Sequence, residues 1–144
     1  MQKEHTIDHV LRATWQAVAK MYNEQAIKHD SSMAMAFILL NIDKENGTPS
    51  TSLGPLMGME PTSLSRILKS MEDKGAIYRE KNPEDGRGVL IKLTKFGIEK
   101  RKISKAHVIQ FNETVKQHVS DEKIKNFIEV TETINKLIAN KNIF

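Results

Sequence analysis

The sequence predicts a mainly α fold with one small β-hairpin, and three observations carry that expectation. Apolar residues recur at spacings of three and four over most of the 144 residues. Only two short stretches, "AIYREKN" and "GVLIKL", alternate like strands, and a charged loop rich in Gly and Pro separates them. Ser, Thr, Pro and Gly stand where helices need to start and stop.

Taken in order, Ile7, Val10, Leu11, Thr14, Val18, Met21, Tyr22 and Ala26 define one amphipathic helix over residues 6–29. "DSS" offers caps for a second helix from Met33, expected to end near Asn46–Gly47. Its apolar residues cover nearly every side, which suits a buried helix. "TPSTSLGPLMGME" reads as a loop, a helix of about two turns and a sharp turn at Gly58. Gly54–Pro55 is unfavourable in a helix interior, so that helix is expected to start late or to be distorted. Pro61 sits at the first position of the next helix, where its missing N–H costs nothing. This helix runs to Lys74, and Gly75 supplies a left-handed cap.

Residues 76–93 form the hairpin, and its connection, Pro83 to Gly88, is longer than a minimal turn and must project. Thr94 caps a helix from Lys95 to about His118. Ser120 caps the last one, with Val119 and Ile124 at the spacing of a hydrophobic staple. Ile124, Phe127, Ile128, Ile134, Leu137 and Ile138 form its apolar stripe. No internal repeat, low-complexity segment or linker divides the chain, so a single domain is expected over residues 1–144.

Composition narrows the function classes. There is no Cys, which excludes disulfides, thiolate metal sites and thiol-based redox sensing. The first residues lack a continuous apolar stretch and carry acids and His early, unlike a signal peptide. The longest apolar run, Met33 to Leu40, falls far short of the roughly 20 residues a membrane span needs. A cytoplasmic protein without membrane contact is expected. A net charge of +4 and a pI near 9.3 are compatible with nucleic-acid binding but do not select it. No P-loop, dinucleotide fingerprint or Cys nucleophile is present, so neither an enzyme nor a cofactor is expected.

Helix, short helix, turn, helix, hairpin is the order of a winged helix-turn-helix, and the helix at 61–74 has the faces such a fold needs. Leu64, Ile67, Leu68 and Met71 share one side and account for burial. Thr62, Arg66, Lys69 and Asp73 share the other, with Ser63, Ser65 and Ser70 on the flanks. Small hydroxyls and cations suit a helix that reads bases with its N-terminal residues. A plain solvated face would mix Glu and Lys more evenly.

"LMGMEPTSLSRILKSMEDKGAI" followed by "DGRGVLIKLTKFG" resembles the multiple-antibiotic-resistance regulator (MarR) family. The carrying residues are Asp85, Arg87, Leu93, Thr94 and Gly97, and the resemblance extends over the whole chain. Gly88 departs from the family's commoner small or basic residue. The resemblance implies a winged helix-turn-helix core at 31–97, and dimerisation helices at 1–30 and 98–144. It also implies a homodimer on a pseudo-palindromic operator in double-stranded DNA, acting as a repressor and released by a small aromatic or anionic effector. Helix 61–74 would enter the major groove and the wing, 83–88, the minor groove. Expected DNA contacts are Thr62, Ser63, Ser65, Arg66, Lys69, Asp85 and Arg87. The residues agree on the dimer: a helix of 24 residues is about 36 Å long, and a small core cannot cover three such apolar faces.

Other constellations are weaker. Trp15 and Tyr22 fit either a ligand pocket or, more commonly for helix-spaced aromatics, plain core. His5 and His9 have metal-ligand spacing, but no Glu or Cys joins them, and a solvated pair is the better reading. "EKRKISK", Glu99 to Lys105, fits a phosphate contact and a solvated face equally. Two alternatives stand beside DNA binding: a winged-helix protein-interaction module, and a metal-dependent sensor using His5 and His9. The first would need apolar or acidic residues on the outer face of 61–74.

Overall fold

A computed structural model describes residues 2, 5–86 and 88–144. The chain forms two compact units, Met1–Lys105 and Ala106–Phe144. The first holds α1 (Ile7–Ile27), α2 (Met33–Asn41), β1 (Thr48–Pro49), α3 (Ser50–Met57), α4 (Pro61–Asp73), β2 (Ile77–Lys81) and β3 (Val89–Leu93). α5 (Lys95–His118) begins in the first unit and ends in the second, which also holds α6 (Asp121–Ala139).

The expected helices are present, with differences at their ends. α2 stops at Asn41 rather than near Asn46–Gly47. Ile42 is extended and fully buried, and the Thr48 hydroxyl accepts the Asp43 N–H at 2.8 Å. The Asp43 carboxylate accepts the N–H groups of Glu45 and Asn46, each at 2.9 Å, and these bonds hold its pKa below the usual carboxylate range. A local side-chain turn thus outcompetes further helix. At its start α2 behaves as expected, since Ser32 Oγ accepts the Met35 N–H at 3.2 Å. Its burial is nearly all-round, as expected: Ile38 and Leu39 are buried, Met33–Phe37 and Leu40 are half-buried, and Asn41 alone in the helix is exposed.

α3 neither starts late nor stops before Pro55. It runs from Ser50 through Pro55 to Met57. Pro55 cannot donate to the Thr51 carbonyl, but both residues are exposed, so water can satisfy that oxygen. Gly58, at φ 61°, ends the helix in the left-handed conformation.

The sheet has three antiparallel strands in the order β1-β3-β2. The hairpin pairs Ile77 with Leu93 and Lys81 with Val89, while Thr48 and Pro49 pair with Ile91 and Leu90 on the other side of β3. β1 was not expected, because a strand of two residues has no periodicity to read. Pro49, lacking an N–H, occupies an edge, where strands tolerate it. Ile38, Ile42, Leu53, Met71, Ile77 and Ile91 are the largest fully buried side chains, and they join α2, α3, α4 and the sheet in one core.

The end of α4, the base of the hairpin and the start of α5 meet at one junction. Gly75 and Ala76 donate to Glu72 O and Met71 O, each at 3.0 Å, which is the paired-bond pattern of a Schellman cap, with Gly75 at φ 78°. Thr94 then closes the hairpin against that cap. Its N–H reaches Ala76 O at 3.1 Å, and its hydroxyl donates to Gly75 O at 2.5 Å. The same hydroxyl accepts the Gly97 N–H at 3.0 Å and so caps α5. Gly97 is buried, and a Cβ there would lie 2.0 Å from Ala76 O.

In the second unit Ser120 Oγ accepts the Lys123 N–H at 3.2 Å, as an N-cap should. Val119 and Ile124 are both half-buried beside it. α6 has no buried residue, and Phe127 and Ile138 are 60% and 59% exposed.

The backbone oxygen beside Gly97 belongs to the Schellman cap and has little room to retreat. Gly97→Ala should therefore destabilise the first unit by about 1–3 kcal/mol, the usual cost of forcing atoms into a packed site. A urea denaturation midpoint equal to that of the wild type would show the contact to be softer than its geometry indicates.

Candidate nucleic-acid interface

α4 is pinned by its inner face. Leu64, Leu68 and Met71 are buried and Ile67 is half-buried. That spacing turns Thr62, Ser65, Arg66 and Lys69 outward, and all four are exposed, while Ser63 is half-buried. Pro61 opens the helix, its first turn holds no acid, and the N-cap residue, Glu60, makes no side-chain cap hydrogen bond to the free N–H groups there. Among the described residues no ion pair engages Arg66, whereas Lys69 Nζ lies 2.8 Å from Asp73 Oδ1, one turn along. Hydrogen bonding and charge from Asp73 raise the Lys69 pKa. The outer face therefore presents one unpaired guanidinium, one tethered ammonium and a border of hydroxyls.

The hairpin loop is organised by its own backbone. Asn82 N–H donates to Gly88 O at 3.1 Å, and Gly88 N–H returns to Asp85 O at 2.9 Å. Asn82 Oδ1 accepts the Glu84 N–H at 3.0 Å. A Cβ on Gly88 would meet Asp85 Oδ2 at 3.2 Å, so glycine there leaves room for that carboxylate. Asp85 is exposed; Arg87 lies outside the described residues. Below the loop, Lys92 Nζ reaches Glu80 Oε2 at 2.8 Å across the two strands.

Arg79 was not singled out by the sequence. Strand alternation puts it on the face of Ile77, and its partner in the sheet is the fully buried Ile91. From there it reaches back to α4, with Nε 3.5 Å from Glu72 Oε1. It also borders a cavity of about 550 Å³ between α3 and α4, whose lining includes Gly54, Met59, Leu64 and Ser65. Reading β2 as a strand with Ile77 inward is the signal that would have found it.

The remaining candidates lie elsewhere. Trp15 is 54% exposed, so the expectation of core fails for it: α1 buries only Ala26. Tyr22 is half-buried, edge-on to Phe37 with centroids 5.4 Å apart, and burial raises its pKa. Neither lines the α3–α4 cavity. His5 is exposed and His9 half-buried, and among the described residues no group of three or more potential metal ligands exists. The cluster at 99–105 is only partly solvated: Lys100 Nζ donates to His29 O at 2.6 Å, and Arg101 Nε is buried.

Residues 32–89 match the model of the MarR family. The HTH-type transcriptional regulator SarZ of Staphylococcus haemolyticus is 31% identical over 97 residues, which are 67% of this chain and 66% of SarZ. The match thus spans just under two thirds of that relative's length. Among solved structures, MepR of S. aureus in complex with DNA superposes with a TM-score of 0.80 at 17% identity, covering 95% of this chain and 99% of MepR. PcaV of Streptomyces coelicolor, in complex with its natural ligand, gives 0.79 at 15% identity, covering 94% and 96%. At such identities the likeness to these two is one of fold.

The tether on Lys69 can be tested directly. Asp73→Asn should lower the Lys69 pKa toward the ordinary lysine value, because it removes both the acceptor charge and the attraction. A raised lysine pKa means the pair strengthens the fold below the ordinary value and is lost only as pH rises through the folded one. Proton-detected titration of the lysine side chains would read this, and an unmoved Lys69 would place its ammonium away from Asp73.

Proposed function

This chain belongs to the MarR family, and from that premise we propose that it is a sequence-specific DNA-binding regulator of transcription, acting in the cytoplasm as a homodimeric repressor on a pseudo-palindromic operator. The observation that carries the proposal is the outer face of α4. Its exposed side chains include the hydroxyls of Thr62 and Ser65, an Arg unpaired among the described residues and the Lys69–Asp73 pair, with no acid in the first turn. A helix in the major groove reads base edges with such groups, and an Arg fork matches the two acceptors of guanine. Thr62, Ser63 and Ser65 are assigned to phosphates or to bases through water, and Lys69 to the backbone once DNA competes with Asp73.

Residues 31–97 are assigned to DNA binding, and 1–30 with 98–144 to the dimer. α1 exposes Ile7, Val10, Leu11 and Trp15, and α6 exposes Phe127, Ile128, Val130 and Ile138. Apolar residues in such stripes support cover by a second copy. The wing assignment rests on sequence: Arg87 follows Asp85 in the loop between β2 and β3, and a narrow minor groove attracts an Arg. A small aromatic or anionic effector completes the reading. The α3–α4 cavity supports it, because Ser65 belongs both to that lining and to the outer face of α4, so an occupant would compete with DNA.

Fluorescence anisotropy on a selected operator and on random DNA, across a salt series, tests the two arginines together. Arg66→Ala should cost about 1–3 kcal/mol on the operator and relax preference at one base per half-site, with little change on random DNA. Arg87→Ala should weaken binding about ten-fold and make the salt dependence shallower by about one counterion per wing. Equal losses on both DNAs for Arg66→Ala would make it a phosphate contact.

Sedimentation equilibrium tests the assembly, with a dimer expected throughout the micromolar range. A soluble monomer there would remove the homodimer from the proposal.

A further inference from the structure

The turn between α2 and β1 holds the one asparagine of the chain that precedes a glycine, Asn46 before Gly47. Asp43 to Asn46 are all exposed, and among the described residues the Asn46 side-chain amide has no hydrogen-bond partner. Asp43 folds the turn. Its carboxylate accepts the N–H groups of Glu45 and Asn46, each at 2.9 Å, and its carbonyl accepts that of Gly47 at 3.0 Å. Gly47 has φ 76° and lies flat against β3, where a Cβ would come 2.7 Å from Lys92 Cγ and 3.0 Å from Ile91 O. Glycine is therefore required at 47, and the nitrogen that follows Asn46 has no Cβ to shield it.

We propose that Asn46 is a site of spontaneous deamidation, and that its isoaspartyl product unpins β1. The Gly47 nitrogen loses its proton to solvent and attacks Cγ of Asn46. The bond from Cγ to the side-chain nitrogen breaks, and that nitrogen takes up a proton and leaves as ammonia. The five-membered imide so formed adds one water. Opening at Cγ gives aspartate, and opening at the backbone carbonyl gives isoaspartate, in which the main chain runs through Cβ and Cγ. Nothing is oxidised or reduced, and water is the only co-reactant. The bond from Gly47 N–H to Asp43 O must open first. It closes an exposed turn, where such bonds open at smaller cost than in a core.

The two products differ in consequence. Aspartate adds only a charge, in a turn that already carries Asp43 and Glu45. Isoaspartate lengthens the main chain by one carbon just before Gly47, which has no room to move toward β3. The displacement falls on Thr48, which is buried and whose hydroxyl accepts the Asp43 N–H at 2.8 Å. β1 is held only by the pairs Thr48 with Ile91 and Pro49 with Leu90, so it has little to resist with. α3 begins at the next residue, Ser50, and through Leu53 it shares a core with α4. None of these steps involves DNA, so the inference stands whatever α4 binds.

The experiment ages the full chain at mildly alkaline pH and digests samples with trypsin at intervals. The peptide Glu45–Arg66 contains no other asparagine and no glutamine, so its mass gain reports Asn46 alone. Asn46 should convert about ten-fold faster or more than any other asparagine, equivalent to about 1.4 kcal/mol of barrier. An isoaspartyl methyltransferase should label the same peptide. Asn46→Gln, whose longer amide would have to close a six-membered ring, should lose the mass gain. The deamidated fraction, isolated by its extra charge, should unfold at lower urea than Asn46→Asp, which carries that charge without the added carbon. The inference is overturned by conversion at Asn46 no faster than elsewhere, by aspartate without isoaspartate, or by a deamidated fraction that unfolds together with Asn46→Asp.

Discussion

Much of the first unit hangs on the contact between the Schellman cap of α4 and the turn that begins α5. One hydroxyl, that of Thr94, donates to Gly75 O and accepts the Gly97 N–H, so it fastens the end of one helix to the start of another. The Thr94 N–H takes Ala76 O, and Gly97 approaches that oxygen so closely that no side chain fits. Between these points the chain makes only the hairpin. The direction of α4, the base of the wing and the departure of α5 are thereby set by a few backbone groups. This gives the Thr94 and Gly97 of the sequence signature a physical reason independent of any contact with DNA.

The junction matters for function because it leaves α4 little freedom. Leu64, Leu68 and Met71 fix its rotation, and the cap fixes its far end. A face that must meet a groove in register benefits from such restraint, since side chains on a rocking helix would lose entropy again on binding. Charge on that face is distributed with the same economy. Asp73 engages Lys69 and Glu72 engages Arg79, whereas Arg66, nearer the start of the helix, points into solvent unpaired among the described residues.

The same helix ends carry a second consequence. Lys74 follows the last turn of α4 and Lys100 belongs to the first turns of α5, and both reach carbonyls of the turn after α1, those of Asp30 and His29. Three helices are therefore tied together by two cations over an apolar floor. Such ties are weak singly where exposed, as Lys74 and Asp30 are. Their effect is to hold two ammonium groups beside an apolar hollow lined by Met35, Leu39, Met71 and Ala76.

By itself the sequence determined the elements with strong periodicity or unambiguous punctuation. α4 is bracketed by Pro61 and Gly75, α5 begins after Thr94, α6 begins after Ser120, and the hairpin strands alternate as read. The exposed face of α4 was legible for the same reason, because helical spacing assigns sides without reference to neighbours. Where a short-range bond competed with the helix pattern, spacing misled: the Asp43 carboxylate and the Thr48 hydroxyl ended α2 early, and α3 carried Pro55 through because its lost bond faces water. Only the tertiary structure decided the rest. β1 exists because β3 offers an edge, Trp15 stays exposed because the first unit has no surface to cover it, and Arg79 joins Glu72 across elements. These depend on how different elements pack together, and no local period records which segments will meet.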